Sequence, residues 1–217
     1  FTETNFLLPV MKETTGEKGA GMIQAVTDRR SIRKYTDREV PRSLIEEILK
    51  AGMLAPSSKN RQPWSFTVVT GRSKEEMLAA MKKGLERESI RPLLTGSAAY
   101  MGDAWHTWEI MGQAPVIIFI RNILGENMGK PLTWEERVAE ICNVQSIGAA
   151  IENMALTAED MGLGSLWICN IFFACRELQD WLGGEGELCA ALAIGYAGEA
   201  PPARPRKKME DCVFWRM

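Results

Sequence analysis

Residues 115–121 read PVIIFIR, five unbroken apolar residues between a proline and an arginine. A strand with one solvated face alternates apolar and polar side chains. A continuous run of this length belongs to a strand buried on both faces. Whatever the fold, this strand lies inside a sheet and needs cover above and below. Three other stretches read as strands: WSFTVVTG at 64–71, GSLWIC at 164–169 and ELCAALAIGYAG at 187–198. Elsewhere the apolar spacing turns helical. A short helix is expected from Met22 to about Arg29. Pro41 opens another, with Leu44, Ile45, Ile48 and Leu49 on one face, and Ala55-Pro56 closes it. Ser73 with Glu76, and Thr133 with Glu136, have capping-box spacing, the second starting a long helix to about Met161. On that helix Ile141, Val144, Gly148, Ile151 and Ala155 make an apolar face with small residues suited to close packing. Residues 89–112 read as loop plus helix, 122–132 as a loop and 174–183 as a helix. The end of the chain is proline-rich, then strand-like. No repeat or linker divides the sequence. The expectation is one α+β or α/β domain over residues 22–217, with a loose arm at 1–21.

Composition narrows the function. A chain of 217 residues buries roughly 70% of its unfolded surface, so it needs no covalent staples. A net charge of −2 argues against a general nucleic-acid or membrane-surface protein. No apolar run approaches the ~20 residues of a membrane span. The first residues lack a basic segment ahead of an apolar core, so they do not read as a secretory leader. Five cysteines, an odd number without a Cys-x-x-Cys pair, fit a reducing, cytoplasmic setting better than a disulfide framework. His106 is the only histidine, which makes a zinc centre or a histidine-based triad a poor reading.

Four segments could carry chemistry. In RRSIRKY, extended chain would turn Arg29, Ser31 and Arg33 to one side and Arg30 and Ile32 to the other. Guanidinium forks around a hydroxyl suit a phosphate; the plainer reading is a basic patch after a helix end. In RPR, Pro205 keeps Arg204 and Arg206 facing one way, unless this is merely a basic tail. A buried or half-buried anion would explain two such clusters together in a slightly acidic chain. PSSKNRQPW, at 56–64, sets Ser57, Ser58, Asn60 and Gln62 between Pro56 and Pro63. These groups donate and accept, as a ring with an alternating polar edge requires, although an ordinary helix-to-strand turn would also use them. In GLGSLWICN, Gly162 and Gly164 allow close backbone approach, and Cys169-Asn170 fall where the strand ends.

RRSIRKY, APSSKNRQPWSF, GLGSLWI and GYAGEAPPARPRK, in this order and spacing, resemble the FMN-dependent nitroreductase family from about Met22 to Trp215. The resemblance implies an α+β fold whose central, mainly antiparallel sheet is flanked by helices, in an intertwined homodimer with FMN at the interface. It implies that Arg29, Arg30, Ser31 and Arg33 hold the phosphate and the pyrimidine edge of the ring, with Arg204 and Arg206 closing on the phosphate. Pro56, Ser57, Ser58 and Asn60 would reach the flavin of the other subunit, towards which the C-terminal extension also runs. Cys169 and Asn170 would lie beside the central ring, where many relatives have Gly or Glu-Gly. Arg33 would tune the flavin by favouring its reduced, anionic form.

The implied activity is NAD(P)H-dependent reduction of nitroaromatic, quinone or similar small acceptors in ping-pong order, with no catalytic side chain beyond those that hold the flavin. No separate nicotinamide fingerprint is visible, which fits docking on the flavin face. Residues 89–132 would form a variable lid, with Trp105, His106, Trp108 and Met111 as candidate lining and core packing as the alternative for at least two of them. The rival readings are a flavin-binding or storage protein without turnover and an anion-binding module without flavin.

Overall fold

The computed structural model describes residues 21–125 and 129–217. The predicted arm at 1–21 lies outside the described residues except for Gly21, and so does part of the predicted 122–132 loop. Four strands, β1 (Trp64–Val69), β2 (Val116–Asn122), β3 (Gly164–Ile168) and β4 (Glu187–Gly195), form one sheet in the order β1-β2-β4-β3. All three pairings are antiparallel. The unbroken apolar run is β2, inside the sheet, and Val116 to Ile120 are each at most 1% exposed.

Alternation along β2 sorts its side chains into two cores. Ile117 and Phe119 pack with Met77, Met81 and Leu85 of α3 (Ser73–Ile90) and with Ile110 and Met111 of α4 (Met101–Gln113). Val116, Ile118 and Ile120 pack with Ile48 of α2 (Arg42–Met53) and with Ile147, Ile151 and Met154 of α5 (Trp134–Asp160). The short α1 (Gln24–Asp28) rests against α5, and α6 (Cys175–Leu182) adds Leu178 to the first core. Helices therefore cover both faces, as a doubly buried strand requires.

The Thr133 capping box forms: the Glu136 N–H donates to Thr133 Oγ1 at 3.2 Å, and the Thr133 N–H donates to Glu136 Oε2 at 2.7 Å. The predicted box at Ser73 does not form. Arg72 takes the cap position with helical dihedrals and makes no side-chain cap bond, so Ser73 already lies inside the first turn. The tight turn at Gly71 (φ +54) brings the Lys74 N–H to the Gly71 carbonyl and satisfies that turn by backbone instead. The strand-like reading of the C-terminus also fails. A strand needs a neighbour's ladder, and among the described residues this segment has none; Met209–Asp211 make a single 3₁₀ turn. β4 stops at Gly195, and beyond it only Ala197 pairs, with Tyr35. The expected apolar face of α5 divides: Ile151 and Ala155 are buried, whereas Ile141 and Val144 are about half exposed.

The end of α3 is tied down electrostatically. Arg87 grips Glu177 of α6 through two bonds, Nε to Oε1 at 2.8 Å and Nη2 to Oε2 at 3.1 Å. Its hydrogen bonds hold the Glu177 carboxyl below the usual carboxylate range. A depressed folded-state pKa stabilises the fold fully above the unfolded value near 4.5, and that contribution is lost as pH falls through the lower folded value. The thermal midpoint of Glu177→Gln should therefore lie below the parent's at neutral pH and converge with it in acid. A deficit that stayed constant across the titration would refute this. No helix among the described residues is long and apolar enough to cross a membrane.

Candidate functional site

After α1 the chain runs beside the edge strand β3. Ser31 bridges Ser165, and the Ile32 N–H donates to the Ser165 carbonyl at 2.9 Å. Gly164 makes this approach possible, because a Cβ there would fall 2.7 Å from Ile32 Cγ1. Ile32 is buried as a result, leaving Arg29, Ser31 and Arg33 half-buried at the surface. The other end of the chain arrives through Tyr35, whose hydroxyl donates to the Ile32 carbonyl at 2.9 Å and whose backbone pairs with Ala197. Burial pushes this phenol far above its ordinary value, so it remains a donor. The Gly198 N–H then donates to the Lys34 carbonyl at 2.8 Å. Glu199 Oε1 accepts the Arg33 N–H at 2.6 Å, across 166 residues of sequence.

These contacts lay 197–206 along 29–35. Arg29, Arg30, Ser31, Arg33, Arg204 and Arg206 line one cleft of about 550 Å³, with Pro201, Pro202 and Pro205 stiffening its other wall. No carboxylate is among its described lining residues. Arg29 is also paired with Glu152 of α5 at 3.4 Å. Arg30 also lines the cleft, with its Nη1 donating to the carbonyls of Thr27, Asp28 and Arg29 at 2.7, 3.0 and 2.9 Å. Arg204 and Arg206 are exposed.

A second cleft of about 500 Å³ shares Arg33 and Arg204 with the first and extends to the end of β3. Cys169 and Asn170 line it from one side, and Asp103, His106 and Thr107 of α4 from the other. The two sides are pinned together. Asn170 Nδ2 donates to Thr107 Oγ1 at 2.8 Å and to the Asp103 carbonyl at 3.2 Å. Of the candidate lining residues on α4, only His106 faces this cleft. Met111 is in the core, Trp105 and Trp108 pack against it, and Trp108 Nε1 donates to the Leu78 carbonyl at 2.9 Å. Asp103 and Thr107 join the lining without any motif of their own. The signal was present in the spacing of Asp103, His106, Thr107 and Ile110, one helical face that turned out to be the lining face.

The loop at 56–63 stands elsewhere. Pro56, Ser57, Ser58 and Asn60 line neither arginine cleft of their own chain. Lys59, Asn60 and Gln62 have φ of 53°, 53° and 49°, three non-glycine residues in the left-handed region. Each costs on the order of 1 kcal/mol, and such strain persists only where neighbours enforce it. Here Ser57 Oγ accepts the Gln62 N–H at 3.0 Å, Asn60 Oδ1 accepts from Gln62 Nε2 at 3.2 Å, and Ser146 Oγ of α5 accepts the Ser58 N–H at 3.3 Å. The loop is pre-shaped, with Pro56, Ser58 and Asn60 exposed.

An antiparallel four-stranded sheet between two helical layers, with an arginine cleft at its edge strand, defines the nitroreductase-like α+β class. The chain belongs to the Nitroreductase family, whose profile matches residues 26–196. It is 34% identical over 193 residues to a Methanothermobacter thermautotrophicus protein provisionally named NADH dehydrogenase/NAD(P)H nitroreductase, covering 84% of this chain and 81% of that one. A BluB-like flavoprotein from Clostridium difficile 630 superposes with a TM-score of 0.73 at 25% identity, covering 90% of this chain and 100% of that one. A Desulfovibrio desulfuricans protein described as a nitroreductase, solved in complex with FMN, superposes with a TM-score of 0.65 at 27% identity over 89% of this chain and 96% of that one.

Proposed function

We propose that this chain is an FMN-dependent oxidoreductase that draws reducing equivalents from NAD(P)H and delivers them to a small acceptor of the nitroaromatic or quinone class. The observation that carries this reading is the meeting of Arg29, Arg33, Arg204 and Arg206 in one cleft, which continues through Arg33 and Arg204 into the pocket at the end of β3. The donor set fits the cofactor. A phosphate monoester is matched by guanidinium forks and a hydroxyl, and no carboxylate lines the described cleft to compete with it. Arg29, Ser31, Arg204 and Arg206 would hold the phosphate. Arg30 would add positive field, its guanidinium being engaged with carbonyls. Arg33, shared by both clefts, would face the ring, and Cys169 and Asn170 would border it. The acceptor would enter between them and the α4 wall of Asp103, His106 and Thr107. FMN, when bound, would supply the two-electron redox chemistry between reduced nicotinamide and the acceptor.

The reading includes a homodimer. Pro56, Ser57, Ser58 and Asn60 would complete the site of a second copy, which accounts for a braced, exposed loop remote from its own arginines. Val138, Ile141 and Val144 on α5 and Trp167 on β3 are exposed apolar side chains of the kind an interface covers. Phe214 and Trp215, more than three-quarters exposed, would reach the partner through the C-terminal extension. The FMN bound by the Desulfovibrio protein and the NAD(P)H in the name of the Methanothermobacter protein support the choice of cofactor and reductant.

The test is spectroscopic. Protein loaded with FMN and freed of excess should bleach under nitrogen on adding NADH or NADPH, then recover its colour with a quinone or nitroarene. Parallel double-reciprocal lines would support the ping-pong order. Retained colour that never bleaches would mean a flavin-storage protein, and failure to retain FMN would overturn the reading.

A further inference from the structure

The two walls of the second cleft trace back to one dipeptide outside it. Glu88, near the C-terminal end of α3, has a side chain with 0% exposure. Its carboxylate accepts the Leu93 N–H at 3.0 and 2.9 Å and the Leu94 N–H at 3.0 Å, with the buried Ser97 alongside. Those three residues belong to the segment that turns the chain into α4. Arg87, its neighbour, faces the other way: Nη2 donates to the Phe173 carbonyl at 3.1 Å, inside the 3₁₀ turn Asn170–Ala174. Its remaining bonds hold Glu177 of α6, and Nη1 closes on Glu88 Oε2 at 2.5 Å. One helix end thus holds the segment before the α4 wall with one side chain and the segment after Cys169-Asn170 with the other.

This arrangement is a poor way to gain stability alone. Taking a carboxylate out of water costs several kcal/mol, and an ion pair recovers it only with every lone pair satisfied. A C-terminal glycine would have stopped the helix more simply. What a buried, multiply bonded carboxylate supplies is fixed geometry. An irregular segment, 91–96, is drawn to a point that cannot slide.

We infer that Glu88, through Arg87, is a positioning residue that, together with the direct bonds from Asn170 to Thr107 and Asp103, sets the spacing between the α4 wall and the Cys169-Asn170 wall of the cleft, and so the fit of the electron acceptor. The acceptor part rests on the function proposed above. Glu88→Gln keeps the shape but presents an amide NH₂ to backbone donors and leaves Arg87 without its inner partner. In the full-length, FMN-loaded protein, the variant should raise the KM for a quinone such as menadione about fivefold or more, with kcat and the FMN Kd within about twofold of the parent. The residues proposed to hold the phosphate, Arg29, Ser31, Arg204 and Arg206, lie on other segments and anchor FMN independently of the altered wall, so the acceptor KM should move far more than the FMN Kd.

A second readout needs no turnover. His106 is the sole imidazole in the chain, so its NMR signal reports the α4 wall directly. That signal should shift in Glu88→Gln, and backbone amide exchange at Leu93 and Leu94 should quicken about tenfold. If Glu88→Gln cannot be purified folded, Ser97→Ala removes the hydroxyl beside the same carboxylate and should move the same quantities in the same direction, by less. An unchanged KM and imidazole signal would overturn the inference. So would KM and FMN Kd rising together, which marks general loosening. If the parent itself fails to hold FMN, the proposed function falls, while the imidazole and exchange measurements still decide the positioning role.

Discussion

Arg29→Ala should lower FMN affinity by roughly 10- to 100-fold, because a hydrogen bond to a charged partner contributes on the order of 1.5–3 kcal/mol. Arg29 should carry more of this than Arg204 and Arg206 for a physical reason. Its side chain is 25% exposed, so its charge acts through less water than those of Arg204 and Arg206, which are exposed and salt-screened. The substitution also frees Glu152, which sits 3.4 Å from the guanidinium and would then direct uncompensated negative charge towards the cleft. Arg30→Ala should lose less, since that guanidinium is engaged with three carbonyls. Titration of apoprotein with FMN, followed by flavin fluorescence, measures both. Equal affinity in Arg29→Ala and the parent would remove Arg29 from the phosphate site.

The largest loss of stability is expected from the smallest change. In a helix interior, Gly→Ala normally gains up to about 1 kcal/mol. At Gly84 of α3 the sign should reverse. A Cβ there would meet Ala174 Cβ and lie 2.5 Å from Ala174 Cα, a backbone atom that cannot rotate away. Forcing α3 off the 3₁₀ turn Asn170–Ala174 costs roughly 1–3 kcal/mol for the overpacking, and more where backbone must shift. A net loss near 2 kcal/mol corresponds to a fall in thermal midpoint of about 4–8 °C for a chain of this size. The same displacement should raise the acceptor KM, since Gly84 lies one turn before Arg87 and Glu88. A midpoint equal to or above the parent's would show that the helix accommodates the methyl group.

Much of this protein is legible in one dimension. The continuous apolar run at 116–120 dictates an interior strand with a layer on each face, because only such a strand has no wet side to mark. The Thr133-x-x-Glu136 box starts α5 because a capping box is local chemistry: both partners lie within one turn. Ser73-x-x-Glu76 has the same spacing and no box, because the turn at Gly71 had already begun the helix. A pattern of four residues cannot report what the preceding backbone does. The strand-like end of the chain fails for a related reason, since strand propensity without a neighbour leaves the backbone unpaired.

The sequence by itself determined which groups are available: five arginines in two clusters, a hydroxyl between two of them, and a polar loop held by prolines. Local steric and hydrogen-bonding rules are enough to give each cluster its shape. Only the tertiary structure decided that the two clusters meet, because that depends on Ile32 fitting against a bare Gly164 and on Tyr35 pairing with Ala197. It likewise decided that α4 turns Asp103, His106 and Thr107, rather than its tryptophans, towards the cleft. A helix has several apolar faces to offer, and which one is buried is chosen by the sheet it packs on.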